Sequence, residues 1–526
     1  MTQIFGSAAD VGALGKFGLG RRERLLGALA IAAVATSLAL AAWRVCSSIS
    51  FAEPLQMQTS GAEYESLFAI WKASQGDPVY GSRTAAPYNA VVYNWLFYAG
   101  YGSIVGAAEH LLTLSDAWLP TVARLLTLAG AIVWWAAAAA SVRAIRGIGT
   151  PSGAFAAPLP SILALGPLTG FWMITARPDI WAVACEASGA LAFLVLARRG
   201  GPWAIVLPVF AAYLAWSFKQ TNLALIAAVV LFLLWRGRFA AAAGATGLFG
   251  ALVAATLAVG TPEYRAAVLF SGYPLEFLVE RGFRNAINAG AKTVPIWLPA
   301  LVLAVSLPWR WRAIAQTRDD ATLFTGLGTA VAGGLAFATA FQTGASENYY
   351  FGAAHFGALL VAAVWFRAVG PANRLHRPVA AAAAVGLVIH TAAVGAVLLG
   401  IQGVVSVRSD HAATMRLVEC LARYPRPLFV NSPSHALPWL AGGSEPFPLS
   451  FVYDRERRLG RPFERNGIGG LVGTGYFATL ALAGQGEAER FDGGSLAGYR
   501  RTGELCSGFA MFERRAASPA RSRPAP

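Results

Sequence analysis

Charged residues are scarce in this sequence: Asp, Glu, Lys and Arg make up 13% of its 526 residues, about half the share in a typical soluble domain. Hydrophobic residues make up 56%. This imbalance excludes an ordinary soluble globular protein and indicates a chain embedded in lipid. Lysine is the scarcer cation, with only four residues, so arginine supplies most of the net charge of +15.

Metal-binding and cofactor motifs are also missing. No CxxC or HExxH spacing occurs, and we find no internal repeat of the kind on which many transporters are built. We therefore expect no cofactor, while leaving a divalent metal ion open. The positive charge does not predict a nucleic-acid partner, because the arginines recur in short clusters between apolar runs, as expected for the cytoplasmic loops of a membrane protein.

Apolar stretches long enough to cross about 30 Å of hydrocarbon recur along the chain. We predict a polytopic α-helical membrane protein of about eleven transmembrane helices, with a cytoplasmic tail at 1–20 and the transmembrane domain at 21–402. The predicted spans lie near residues 24–45, 118–142, 152–174, 179–197, 202–218, 220–235, 239–259, 291–308, 321–342, 349–367 and 378–401. The first is too long for a signal-peptide core and lacks a cleavage site, so we interpret it as an uncleaved helix.

The arginine clusters predict the orientation of these helices. If the N-terminal cluster is cytoplasmic, the later clusters face the same side only if one helix crosses between residues 46 and 143. The segment 118–142 is the more apolar candidate, so 88–112 is predicted to be a surface helix in the first periplasmic loop, 46–117. If 88–112 spanned the membrane, everything after it would invert. An Ala-rich composition that prefers Arg to Lys suggests a bacterial genome rich in G and C, and with the predicted spans we expect a protein of the bacterial inner membrane.

The segment 403–515 has a different pattern and is predicted to form a small periplasmic α/β domain, with a helix near 410–423 and short strands. The tail at 516–526 is rich in Ser, Pro, Ala and Arg and is expected to be disordered. The domain contains Cys420 and Cys506. An oxidising compartment permits a disulfide between them, and two buried free thiols are the alternative.

The first outer loop contains the most informative carboxylates. Residues 62–75 are predicted to form a helix that ends at Gly76. At 100° per residue, Glu63 falls on the apolar, inward face, and Glu65 falls on a solvated face beside Lys72. A carboxylate withdrawn from water has a raised proton affinity and suits general-base chemistry, so Glu63 is a candidate base. The alternative is that Glu63 only caps the helix N-terminus.

Polar residues at three later helix ends are predicted to face the same side. Arg177 and Lys219 are cations in outer loops, where positive charge is disfavoured, and together they suggest an anionic ligand such as phosphate. Simpler explanations exist: Asp179 starts a helix, Lys219 anchors an interface, and Asn348 caps a helix. Glu186, two turns inside its helix, is a weaker functional candidate.

Several motifs occur in a distinctive order. They are an acidic residue after the first helix followed by Leu67, Trp71 and Gly76-Asp77-Pro78-Val79-Tyr80, then Pro87 with Tyr88 and Tyr93, Arg177-Pro178-Asp179, Lys219-Gln220, and Asn348-Tyr349-Tyr350-Phe351. In this order they resemble the GT-C superfamily of membrane glycosyltransferases. The resemblance is strongest to the bacterial lipid A aminoarabinose transferases and lipopolysaccharide core galacturonosyl transferases, and it covers most of residues 20–401.

The resemblance implies an inverting transfer of a sugar from polyprenyl phosphate to a glycolipid, polysaccharide or protein on the periplasmic side. Glu63 would be the base, while Arg177 and Lys219 would bind the donor phosphate. The implied pocket residues are Glu65, Tyr88, Asp179, Gln220, Glu347, Asn348 and Tyr349. Many relatives carry two adjacent acidic residues where this chain has Ala62-Glu63, so the base is Glu63 alone, or Glu65 if the helix is rotated.

Three other functions stay open. A transporter or flippase of lipid-linked glycans would favour broken helices and buried charges, of which the sequence shows little beyond Glu186. A polysaccharide polymerase or ligase is suggested by Arg265, Arg281 and Arg284 in the 260–290 loop. A GT-C-like scaffold without activity is the third.

Overall fold

The computed structural model describes part of the chain in detail. The described residues are 21–59, 63–82, 84–85, 91–146, 156–269, 277–306, 319–342, 344–368, 376–401, 407–431, 440, 442, 453, 460, 462–483 and 496–515. The predicted cytoplasmic tail at 1–20, the pocket residue Tyr88 and the predicted tail at 516–526 lie outside this set.

Helices make up most of the described chain up to residue 401. In order they are α1 (Arg21–Ser48), α2 (Glu63–Ser74), α3 (Trp95–Leu112), α4 (Leu119–Arg146), α5 (Leu159–Ala164), α6 (Asp179–Leu196), α7 (Trp203–Phe218), α8 (Ala224–Trp235), α9 (Phe239–Val259), α10 (Pro262–Leu269), α11 (Val279–Lys292), α12 (Val294–Ser306), α13 (Asp320–Ala340), α14 (Phe351–Ala368) and α15 (His376–Leu398). Short 3-10 turns precede several of them, including Gly170–Met173 and Glu347–Tyr350.

Seven segments among the described residues are long and apolar enough to cross a membrane. They correspond, within a few residues at their ends, to α1, α4, α6, α9, α13, α14 and α15. The pair α11 and α12, bent by 96°, is an eighth candidate. The helices α7 and α8 are apolar but shorter. The chain is therefore a mostly helical, multi-pass membrane protein, and the prediction of eleven spans is not confirmed by this count.

The prediction of a continuous helix at 152–174 is wrong for its described part. Only the six residues of α5 are α-helical there, followed by the turn Gly170–Met173. Pro167 lacks an amide hydrogen and disfavours helical geometry at Gly166 before it. A Cβ added at Gly166 would lie 2.1 Å from the carbonyl oxygen of Ile162, and Gly170 has a φ of +52°. These backbone constraints break an otherwise apolar segment.

The first outer loop folds as the sequence predicts in one respect: α2 ends before Gly76, which has a φ of +78°. The helix α3 packs against α2 at Gly102, where an added Cβ would lie 2.5 Å from the Cβ of Ala73. Close approach of the two helices therefore requires glycine at this position. Both helices lie outside the set of candidate spans, so the predicted surface position of 88–112 stays a prediction.

The described strands form two small sheets. Strand β1 (Met57–Thr59) pairs antiparallel with β2 (Val407–Ser409). The second sheet has the order β3-β4-β6-β5, parallel between its first two strands and antiparallel elsewhere. Its strands are β3 (Leu428–Val430), β4 (Thr479–Ala483), β5 (Tyr499–Cys506) and β6 (Phe509–Arg514), with the helices α16 (His411–Leu421) and α17 (Gly467–Gly473). The strand β5 was not predicted.

A disulfide joins Cys420 of α16 to Cys506 of β5, which settles the alternative left open by the sequence. Around it, Leu417 and Leu421 of α16 belong to the same buried apolar cluster as Leu67 of α2. The helix and sheet therefore pack against the first outer loop.

Removing this disulfide is expected to destabilise the small sheet. Loss of a native disulfide costs about 2–5 kcal/mol in small domains. The double variant C420S/C506S should lower the apparent unfolding midpoint of the full-length protein in detergent, measured by differential scanning fluorimetry. The matched control, C46S/C185S, removes the two free cysteines. Equal unfolding midpoints for the two double variants would show that the disulfide does not stabilise the protein.

Candidate functional site

Glu63 is fully buried at the start of α2, and four donors surround its carboxylate. Arg124 of α4 donates from Nε to Oε1 at 3.2 Å and from Nη2 to Oε2 at 2.7 Å. The Ala176 amide donates to Oε1 at 2.7 Å, and the Thr59 hydroxyl donates to Oε2 at 3.2 Å. These contacts occupy the lone pairs that a general base would use. The geometry therefore favours a positioning role for Glu63 over the predicted role as base.

Arg124 extends this network to the end of α1. Its Nη1 donates to the carbonyl of Ser48 at 2.7 Å and to that of Gln56 at 3.0 Å. Arg124 is not among the site residues predicted from the sequence. The signal was present, because an arginine inside an apolar, membrane-length helix is costly without a partner and is a functional candidate by default.

Glu65 differs from Glu63 in the surroundings of its carboxyl group. Its Oε2 is buried and has no hydrogen-bond partner. Burial raises the pKa of this carboxyl, and a backbone hydrogen bond and the charge of Arg177 partly oppose the rise. Glu65 is less solvated than expected: it is the one residue from Glu63 to Ile70 that stays partly exposed, while its Oε2 is buried.

Asp179, at the start of α6, is the centre of the second part of the site. Its Oδ1 accepts from Nζ of Lys219 at 2.5 Å and from Nδ2 of Asn348 at 2.6 Å. Nε of Arg177 lies 3.8 Å from Oδ2. Nζ of Lys219 also lies 4.1 Å from the ring centre of Tyr349. The structure thus brings together residues that the sequence placed on one side but did not show to be in contact.

Two aromatic rings lie close to the guanidinium of Arg177. Its guanidinium lies 4.7 Å from the Trp172 ring centre and 5.3 Å from that of Tyr93, whose hydroxyl it also contacts. Nearby, Nε2 of Gln220 donates to the carbonyl of Val92 at 2.8 Å. These contacts fix the cation and the amide in the same corner of the site.

Unpaired polar atoms concentrate at this site. Buried polar groups in native proteins nearly always have hydrogen-bond partners. Among the described residues, the buried side-chain atoms without one include Glu65 Oε2, Arg177 Nε, Asp179 Oδ2, Gln220 Oε1 and Asn348 Oδ1. The cations Arg177 and Lys219 and the carboxyl groups of Asp179 and Glu65 lie in this part of the protein. Several of their donor and acceptor atoms make no hydrogen bond and can therefore bind a ligand.

Two further predicted residues lie beside this cluster. Glu347 forms an ion pair with Lys292 of α11. Glu186 accepts from the backbone amides of Ala224 at 3.1 Å and Leu225 at 3.4 Å and thereby caps α8. It also lines a cavity of about 40 Å³ next to Asp179. Within the described residues, no group of three or more His, Cys, Asp or Glu is arranged to hold a metal ion.

Comparison with known proteins gives matches in structure alone. No protein-family profile and no curated protein sequence matches the chain. The chain is similar to ArnT from Cupriavidus metallidurans bound to undecaprenyl phosphate, with 15% identity and a TM-score of 0.49, over 93% of this chain and 99% of that one. It is also similar to the Archaeoglobus fulgidus oligosaccharyltransferase in its apo form, with 13% identity and a TM-score of 0.48, over 82% of this chain and 63% of that one.

Both identities are below 25% and both TM-scores are below 0.5, so no family, activity, substrate or residue role is taken from these likenesses.

Replacing Glu63 by glutamine is expected to destabilise the protein. Arg124 would stay buried without its counter-charge, and breaking a buried ion pair on one side costs about 3–5 kcal/mol. The apparent unfolding midpoint of the full-length protein in detergent measures this loss. The matched control is E280Q, because Glu280 forms an exposed pair with Arg284 that contributes little. If E63Q and E280Q unfold at the same temperature, the positioning role of Glu63 is refuted.

Proposed function

We propose that this chain is an integral-membrane glycosyltransferase that transfers a sugar from a polyprenyl-phosphate donor to an envelope acceptor. The observation that carries the proposal is the pair of cations Arg177 and Lys219, which share Asp179. Arg177 also acts electrostatically on the carboxyl of Glu65, whose Oε2 has no hydrogen-bond partner. Such a site offers an anion-binding half and a proton-accepting half. A glycolipid, a polysaccharide and a protein all remain possible acceptor classes.

The anion-binding half suits the donor phosphate. The guanidinium of Arg177 lies beside two aromatic rings and its Nε makes no hydrogen bond, so it can still donate to phosphate oxygens. Lys219 supplies a compact second charge, which Asp179 keeps in position. Both cations would stabilise the charge that develops on the phosphate as the sugar leaves.

The proton-accepting half is assigned to Glu65, in place of Glu63. As the acceptor oxygen attacks the anomeric carbon, its proton passes to Glu65 and a new carbon–oxygen bond forms. The bond to the donor phosphate breaks on the opposite face, and the phosphate leaves with the electron pair, which inverts the anomeric centre. Burial shifts the pKa of Glu65 upward, toward neutral pH, and a general base is most effective when its pKa lies near the working pH.

The proposed topology has eleven crossings and a periplasmic site. The seven long segments, the bent α11–α12 pair, α7 and α8 account for ten. The eleventh is the broken segment around α5. From Arg124 to the end of α4 the helix rises about 33 Å, yet the chain returns by Ala176 to contact Glu63. The proposed domains are 21–402 in the membrane and 403–515 in the periplasm of a bacterial inner membrane.

A flippase of lipid-linked glycans is the second candidate. The 96° bend between α11 and α12 and the buried carboxylate of Glu186 favour it, because transporters use broken helices and buried charges. A flippase would move an intact donor across a vesicle membrane, whereas the proposed transferase releases polyprenyl phosphate only when an acceptor is present.

Replacing Glu65 by glutamine is expected to lower sugar transfer about 100-fold or more, because general-base catalysis contributes at least that factor. Mass spectrometry of envelope glycolipids, in a strain that lacks the gene and carries each variant, measures transfer at matched protein levels. E65Q should unfold near the wild-type midpoint, unlike E63Q. Normal glycolipids with E65Q would exclude Glu65 as the base.

The pH dependence of transfer supplies a second readout of Glu65. The base acts when deprotonated, so activity of isolated membranes should fall as the pH drops through its raised pKa and should level off above it. The residual activity of E65Q should lack this acidic limb. An unchanged limb in E65Q would assign the titration to another group.

Replacing Lys219 by methionine is expected to weaken binding of undecaprenyl phosphate by about tenfold or more, since a hydrogen bond to a charged group contributes about 1.5–3 kcal/mol. Microscale thermophoresis on the purified protein gives the Kd. The control is K72M, because Lys72 lies at the other end of α2 from Glu63 and Glu65. Equal Kd values for the two variants would remove Lys219 from the phosphate site.

A further inference from the structure

The helix α11 has a protein-facing side. Gly282, Asn285 and Ala289 are buried there, and Nδ2 of Asn285 donates to the carbonyls of Ala340 at 3.0 Å and Ala345 at 3.3 Å. A Cβ added at Gly282 would lie 2.3 Å from the Phe341 ring, so the helix lies directly against the end of α13. This side fixes α11 on the protein.

The remaining surface of α11 is divided into two exposed sides. Val279, Phe283 and Ile287 are 55%, 53% and 69% exposed and lie four residues apart, so they form one apolar edge. Glu280, Arg281, Arg284 and Asn288 are also exposed, and at 100° per residue they lie about 60–160° from the centre of that edge. A helix on a purely aqueous surface has no reason to separate its exposed residues in this way.

The direction of the next helix indicates what covers the apolar edge. After a bend of 96°, the chain continues as α12, which is apolar throughout and exposes Leu301 and Val305. If α12 enters the hydrocarbon, α11 runs along the membrane surface. Helices with one apolar and one charged side bind in the plane of the interface, with the apolar side among the acyl chains.

We infer that α11 is an in-plane helix that binds the lipid surface of the outer leaflet. Val279, Phe283 and Ile287 insert between the lipids, and Arg281 faces the headgroup phosphates. The occupant of the apolar edge is therefore the bilayer itself, and the edge requires neither a second copy of the chain nor a protein partner.

This placement also sets the depth of the candidate site, a consequence that rests on the proposed function. Lys292 at the end of α11 pairs with Glu347, the neighbour of Asn348. Asn348 in turn contacts Asp179. The cations of the site would thus lie near the headgroup level, where the phosphate of a membrane-bound donor resides.

Site-directed spin labelling tests the in-plane position without any assay of activity. Single cysteines at 279, 281, 283, 284, 287 and 288 are introduced into the full-length C46S/C185S protein and labelled with a nitroxide. The protein is reconstituted in vesicles of phosphatidylethanolamine and phosphatidylglycerol. The references are L301C for lipid and R500C for water, since both positions are exposed.

Nitroxides at 279, 283 and 287 should be accessible to molecular oxygen, like the one at 301. Nitroxides at 281, 284 and 288 should be accessible to a water-soluble nickel chelate, like the one at 500. Nickel access at 283 and 287 equal to that at 284 and 288 would overturn the inference. Oxygen access that is uniform along all six positions would overturn it too, because the helix would then be immersed in lipid. Either failure leaves the proposed transfer reaction untouched.

Discussion

The buried ion pair between Glu63 and Arg124 joins the parts of the chain on which the candidate site depends. Through it the end of α1, the start of α2, the start of α4 and the turn before α6 meet at one ion pair. Two charges in such a place are tolerable only if nearly every donor and acceptor is satisfied, and here they are. Because Ala176 is held by this pair, the next residue, Arg177, is brought toward Glu65.

The site shows how one helix turn can separate two roles. Glu63 and Glu65 lie two residues apart, yet one is saturated by donors and the other has an unpaired oxygen and a raised pKa. A carboxylate whose lone pairs all accept hydrogen bonds stabilises the fold, whereas a carboxylate with an oxygen that accepts none can take a proton. On the other side of Arg177, Asp179 neutralises part of the charge of two cations and keeps the rest for an anion.

Hydropathy and arginine clusters were enough to predict the multi-pass helical fold and the common side of Arg177, Lys219 and Asn348, because both depend on composition along the chain. The break at Gly166-Pro167 was not predicted, because the segment is apolar enough to span a membrane and the prediction did not consider the effect of proline on the backbone. The choice between Glu63 and Glu65 could not be made from spacing. It depends on Arg124, 61 residues away in the sequence, and on the enclosure of α2 by other elements.

In the proposed reaction, Lys219 and Arg177, the cation that acts on Glu65, hold the phosphate of a polyprenyl donor. Cryo-electron microscopy of the full-length protein in nanodiscs with undecaprenyl phosphate tests it most directly. The account predicts phosphate density within hydrogen-bonding distance of Arg177 and Lys219, with the first carbon of the prenyl chain leading toward the lipid and Glu65 across the site. Phosphate density elsewhere, with Arg177 and Lys219 still paired only to Asp179, would contradict it.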